Sequence, residues 1–310
     1  MADKLAAVSV DLDEIDNYAS IHGLEGALDV APSAIYEKAL PRLASLFDVH
    51  GVRATFFAIG RDLLGKPENG VRLASLRARG HEIANHSLSH FYDLTRRDAS
   101  TQRREIRGGA DAIEAAVGVR PVGFRAPGYT ITDGLFEALA AEGVTYDASV
   151  FPCPAYYLAK TAAIGLIRLR GRASRSIVDD PRVLTAPADP YRVGRPYHTR
   201  GKGLLELPIG VTSTRTGRLP YIGTNVALAG VRGAHVLTKL MTARDFVSLE
   251  LHGIDLADAA EDGLTGLAPY QPDLRRTAAQ KREALESALV TLRDAGYRFV
   301  THAEAARHYG

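Results

Sequence analysis

Cysteine is almost missing from this chain: Cys153 is the only one among 310 residues. That excludes an internal disulfide framework and a thiolate-rich metal cluster. Long apolar runs are missing too, and no stretch approaches the length needed to span a bilayer. Charge of one sign is not in excess: 38 Lys and Arg face 36 Asp and Glu, a net charge of +2. Bulk attraction to nucleic acid is therefore not expected. The opening Met1-Ala2-Asp3-Lys4 runs almost at once into a strand-like segment and lacks the apolar core of a signal peptide, so a reducing, cytoplasmic setting is expected. No repeat and no low-complexity linker interrupts the chain. What is present is an ordinary globular composition, 46% hydrophobic and 24% charged, long enough for one large α/β domain or two small ones.

Short apolar strands alternate with amphipathic helical stretches, the pattern of an α/β fold with mainly parallel strands. Strands are expected at 6–13, 53–59, around Ile83, at 122–125, from Tyr146, and at 204–207, 246–251 and 298–301. Helices are expected at 33–50, 68–79, 98–117 (interrupted by Gly108 and Gly109), 133–142 and 277–295. The stretch 152–203 breaks the alternation and reads as an insertion. It opens with a helix rich in Tyr, Ala, Leu and Ile (156–169), then turns basic and proline-rich.

The strongest chemical signal is His86-Ser87-Leu88-Ser89-His90. On one helical turn, an i, i+4 pair presents both imidazoles to one side, where they can grip a divalent metal and leave positions open. Gly80 and a short strand precede the pair, which places it at the C-terminal mouth of a strand, where α/β enzymes do their chemistry. In Ser9-Val10-Asp11-Leu12-Asp13, period-2 alternation points both carboxylates to one side. An isolated D-x-D is more often a cap plus a solvated carboxylate; the histidine pair tips this one toward a metal. Arg125-Ala126-Pro127-Gly128-Tyr129 puts an arginine and a Pro-Gly turn at the same rim, which suits orienting a carboxylate and offering a main-chain N–H to an oxyanion. His252 follows the apolar strand Leu249-Glu250-Leu251; alone it would be structural, but beside a metal it becomes a candidate proton donor.

Taken in order with Thr55-Phe56-Phe57, Leu205-Glu206-Leu207-Pro208 and Leu251-His252, these pieces resemble the polysaccharide deacetylases with a NodB-like domain, carbohydrate esterase family 4. The resemblance spans Asp11 to His252. It implies a single domain with an irregular (β/α) barrel of about seven strands and its site at the C-terminal rim. It implies that Asp13, His86 and His90 bind a divalent metal, zinc in most relatives, with cobalt, nickel or iron serving in others. By the same resemblance Asp11 is the general base held by Arg125, His252 is the general acid, and Tyr129 offers its backbone N–H to the oxyanion. Two departures stand out. A leucine separates the aspartates that most relatives keep adjacent, which leaves the division of labour between Asp11 and Asp13 open. The chain also has no tryptophan to flank the acid histidine, so Glu206 or Asp255 is taken as the group that orients His252.

The activity implied is removal of an N-acetyl group from an amino sugar in a polysaccharide or lipid-linked glycan. The alternatives are deformylation of a lipid-linked amino sugar, opening of a cyclic amide as in allantoinase, or a catalytically dead barrel that only binds carbohydrate. The expected partner is thus an N-acetylated carbohydrate or glycolipid, not nucleic acid. The 156–175 segment is a candidate for contact with a membrane surface, weighed against plain cover of the barrel flank. His22 is a further candidate for the substrate groove. The sequence does not speak to oligomeric state.

Overall fold

In the first strand, Leu5–Asp11, alternate residues go to opposite faces. Ala6, Val8 and Val10 pack outward against helices, while Leu5, Ala7, Ser9 and Asp11 turn inward. That single alternation organises the molecule, a computed structural model that describes residues 3–26, 30–31 and 33–310. Nine strands form one sheet: β1 (Leu5–Asp11), β2 (Thr55–Ala58), β3 (Glu82–Asn85), β4 (Gly123–Phe124), β5 (Tyr146–Asp147), β6 (Tyr191–Val193), β7 (Arg200–Glu206), β8 (Phe246–His252) and β9 (Arg298–Val300). Their order is β6-β7-β5-β4-β3-β2-β1-β8, with β9 also on β1. All pairings are parallel except β6 with β7.

The sheet curls without closing: no ladder joins β8 to β6 or β7 among the described residues. The seam is bridged by irregular chain after β7. Gly210 lies there so close to β8 that a Cβ would overlap the Ser248 carbonyl oxygen. This is the irregular (β/α) barrel expected, in one domain. Its extra strand is β6, which forms a hairpin with β7 inside the 152–203 stretch and joins it to the common sheet.

Two packed layers result. The outer one sets the Leu40–His50, Gly223–Met241 and Ala278–Asp294 helices against the outward residues of β1, β2 and β8. The inner one fills the barrel with Leu5, Ala7, Phe57, Ala84, Tyr146, Leu205 and Val300 and is plugged below by the His302–Tyr309 helix. Half-buried Glu82 ties that plug in place, accepting from Tyr146 Oη, Thr55 Oγ1 and the Ala303 N–H at 2.8–2.9 Å. The plug closes the lower end of the barrel, so the inward polar residues of the strands gather at the upper rim. The helix expected at 98–117 runs unbroken through Gly108 and Gly109 as Ala99–Val117, capped by Asp98 and left-handed Gly118.

Candidate active site

Parallel register brings the strand ends together. Asp11 pairs with His252 across β1 and β8, and Ser9 with Glu250; Asn85, next to His86, pairs with Phe124, next to Arg125. The site therefore sits on the C-terminal rim, as the sequence pattern implies.

His86 and His90 are not on a helical turn. They follow β3 in a loop where Ser87 and His90 both take left-handed backbone, at φ 68° and 55°. The loop is pinned rather than helical: Gly60 N–H donates to Ser87 O, Leu88 N–H to Glu105 O, and His90 N–H to Ser87 Oγ. Tyr129 also has positive φ, at 58°. Three of the four non-glycine residues in that region among those described thus lie at this site, a concentration typical of functional strain. Helix Ala99–Val117 backs the loop at Gly109, where a Cβ would overlap Asn85 and the Ser87 backbone. The glycine that looked like a helix break is the surface that lets the loop in.

The three expected ligands meet. His86 Nδ1–H donates to the Arg125 carbonyl at 2.7 Å, which leaves Nε2 with its lone pair facing the cavity. From Asp13 Oδ1 it is 3.4 Å to His86 Nε2 and 3.2 Å to His90 Nε2, and the two Nε2 atoms are 3.2 Å apart. A tetrahedral cation with bonds of about 2.0–2.1 Å separates its ligands by roughly 3.3–3.4 Å. Three lone-pair donors, all buried, form one face of that tetrahedron. Asp13 Oδ1 and Asp11 Oδ2 are buried with no hydrogen-bond partner, which polar atoms tolerate only where a cation or water completes them. The residues fit a divalent metal.

Electrostatics agree. Burial alone would raise the Asp13 carboxyl, but His90 and His86 outweigh it and hold Asp13 well below the usual carboxylate range. Of the two rings, His86 is the more basic: burial opposes its proton, yet Asp11 and Asp13 overcome burial. Burial drives His90 down to about 3.

Behind the ligands, Arg125 is fully buried and lies over the Phe57 ring. It donates from Nη1 to Asp11 Oδ1 at 2.6 Å and to Ser9 Oγ at 2.9 Å, and from Nε to Ala148 O at 2.8 Å. One oxygen of Asp11 is thereby fixed, and the other is left facing His86 at 3.7 Å.

Four expectations need correction. Glu206 does not orient His252; it sits behind the site, accepting the Val150 N–H and facing Asp147 across β5 and β7, where burial raises both carboxyls. The Asp255 carboxylate accepts the His252 backbone N–H at 2.8 Å and does not bond the ring, which accepts from the Asp255 backbone N–H. The ring is instead held by Glu250, whose Oε1 lies 3.0 Å from Nδ1. That partner was within reach of sequence reasoning: a charged residue inside an apolar strand, two before the histidine, shares its face. Burial alone would lower the His252 ring, but the Glu250, Asp11 and Asp13 carboxylates reverse this and lift it well above the ordinary imidazole value. The Tyr129 N–H is taken by Ala126 O at 3.0 Å; its phenol is what faces the site, 3.3 Å from His252 Nε2. His22 bonds Gln271, which lines the cavity, but His22 does not line it.

The cavity holds about 160 Å³ above Asp11, Asp13, His86, Tyr129 and His252, with Tyr156 and Lys160 of the Pro154–Leu169 helix closing one side. A three-ligand cradle, a carboxylate held by an arginine and a histidine beside a glutamate thus surround one small chamber. Residues 28–146, which contain His86, His90, Arg125 and Tyr129, match the family model described as polysaccharide deacetylase. Over that interval the chain is similar to the polysaccharide deacetylases. It is 30% identical over 100 residues to the chitooligosaccharide deacetylase of Bradyrhizobium sp. (strain ANU 289), covering 32% of this chain and 44% of that one. It is also 30% identical over 103 residues to the peptidoglycan-N-acetylglucosamine deacetylase of Bacillus cereus, covering 33% and 46%. The chain thus spans under half the length of these curated relatives. A crystal structure from Mycobacterium smegmatis, provisionally assigned as a polysaccharide deacetylase, matches 99% of this chain and 90% of its own with a TM-score of 0.59 at 21% identity. That likeness shows a shared fold across the whole chain, including the strands outside the matched interval.

Proposed function

We propose that this protein removes the N-acetyl group from an amino sugar of a glycan, using a metal held by Asp13, His86 and His90. One observation carries the reading. The three-ligand face lies beside a carboxylate tied to a buried arginine and a histidine tied to a buried glutamate, so base, acid and metal cradle share one cavity.

A divalent cation bound there, with zinc the first candidate, supplies Lewis-acid polarisation of the acyl carbonyl and acidifies water. The chain's own residues do the rest. Asp11, with Oδ1 fixed by Arg125, accepts the water proton at Oδ2. The tetrahedral oxyanion needs donors in the dry cavity. The phenol of Tyr129 lies in reach, whereas its N–H is already engaged in the Ala126 turn. Collapse needs a proton on the departing nitrogen, and His252 holds one at Nε2 because Glu250 sits on Nδ1. Water and amide become acetate and a free amine.

A lipid-linked glycan is one form of this substrate. Leu158, Leu166 and Leu169 are exposed along the helix that flanks the cavity, next to Arg168 and Arg170. Among the described residues no helix is long and apolar enough to cross a membrane, so any contact there would be with a membrane surface.

The deciding assay follows acetate release from N-acetylglucosamine oligomers by zinc-loaded protein, with formylated amino sugars and allantoin as parallel substrates. Acetate released with zinc and lost with chelator is the expected result. Formate release or allantoin opening alone would move the reading to those chemistries, and no turnover of any substrate by metal-loaded protein would overturn it.

A further inference from the structure

Beside the catalytic cavity lies a larger groove of about 670 Å³, and the two meet at Tyr92 and Ser176. His90, a metal ligand in our reading, forms part of its wall. The groove is lined by Arg61, Arg96, Arg97, Arg168 and Arg175, drawn from four separate parts of the chain. Three of these already have carboxylates: Arg61 pairs with Asp16 at 2.8 Å, Arg97 with Asp93 at 3.0 Å and Arg175 with Glu25 at 3.0 Å. Arg96 and Arg168 have no carboxylate partner among the described residues. Arg61 also lies 3.4 Å from Asp62, so five guanidinium groups face four carboxylates, and the groove keeps a surplus of positive charge that neutral sugar hydroxyls do not match.

Guanidinium groups recognise carboxylate and phosphate oxygens through two parallel N–H donors, which a hydroxyl cannot reproduce. We propose that this groove binds an anionic group, carboxylate or phosphate, carried by the same glycan whose acylamino group enters the cavity, with Arg96 and Arg168 as its contacts. The assignment rests on the deacetylase reading for what occupies the cavity, and it adds the charge class of the substrate.

The test compares three matched disaccharides: neutral N,N′-diacetylchitobiose, its 1-phosphate, and N-acetylglucosaminyl-N-acetylmuramic acid, which carries a carboxylate. At low salt, at least one charged disaccharide is expected to exceed the neutral one by roughly tenfold or more in kcat/KM, mainly through KM, with the gap shrinking as salt screens it. In the double variant Arg96→Gln/Arg168→Gln that ratio should fall to near one. Which charged sugar shows the preference distinguishes phosphate from carboxylate. A ratio near one in the native protein, or a ratio unchanged in the variant, overturns the proposal. If none of the three is deacetylated, isothermal titration of the same sugars into zinc-loaded protein separates the two claims. Tighter binding of a charged sugar that the variant abolishes keeps the groove and removes the hydrolase; equal affinities, or no binding at all, remove the groove.

Discussion

At the scale of single residues, the site depends on charges that are buried and paired. Arg125 is the sharpest case, because removing one partner of a buried pair leaves the other uncompensated. Arg125→Met should therefore lose about 3–5 kcal/mol in urea unfolding, and Asp11→Asn added to it should restore part of that loss; a single variant as stable as the native protein would break the argument. Glu250 offers a second test. A histidine with raised folded-state basicity stays protonated until pH passes that raised value, so an activity that needs the proton falls on the alkaline side. Its stabilising effect has the same sign, full below the ordinary imidazole range and lost as pH rises through the folded value. Glu250→Gln should move the alkaline limb of kcat/KM to lower pH by roughly one unit or more, and an unmoved limb would separate His252 from the acid role. At the ligands, a cation must displace the proton that His86 favours, so zinc affinity should weaken as pH falls. Competition titrations at several pH values would read this directly.

At the scale of elements, the loop that carries His86 and His90 teaches most. The convergence of both histidines was legible, but for a helical reason that does not hold. Their side chains converge because two left-handed residues fold the loop back, not because of 3.6-residue spacing. Backbone sign at Ser87 and His90 follows from tertiary bonds to Gly60 and Glu105, which no local pattern reveals. Gly109 is their counterpart in the supporting helix. Gly109→Ala should leave helix content intact by circular dichroism yet weaken zinc binding by roughly tenfold through displacement of the loop, about 1.4 kcal/mol in affinity; unchanged affinity would show the loop to be self-supporting. Strand alternation, by contrast, was a sound guide, since β1, β2, β3, β8 and β9 fall where apolar period-2 runs predict. Several elements were illegible: the short helices Ile15–Ile21, Gly60–Gly65 and His302–Tyr309 carry too few turns for a periodic signal, and two others have particular causes. β6 is three residues within a basic, proline-rich stretch, and the Gly223–Met241 helix contains Gly223, Gly230 and Gly233 and is broken in the middle at Gly230, so its helical tendency is weak. Packing of this helix against Ala278–Asp294 and β8 supplies what propensity does not.

At the scale of the whole molecule, a metal bound as proposed would be coupled to the fold through the rim. Asp13 follows β1, whereas His86 and His90 follow β3, so an ion bound by all three links two non-adjacent strands. A ligand that binds only the folded state stabilises it in proportion to the logarithm of its concentration. Chelator-treated protein should melt several degrees lower than zinc-loaded protein, and His86→Ala should abolish the difference; a chelator-insensitive melting temperature would mean the three groups do not share an ion. β1 itself pairs with β2 at only three positions but with β8 along its whole length, and with β9 at Leu5 to Ala7. Its main partners are therefore synthesised more than two hundred residues after it. On the ribosome, β1 gains its longest ladder only once Phe246–His252 has been made, long after the three short pairings with β2 are available. A nascent chain arrested near residue 245, which has β2 but not β8, should hold the rim loosely and retain zinc less well than the full chain.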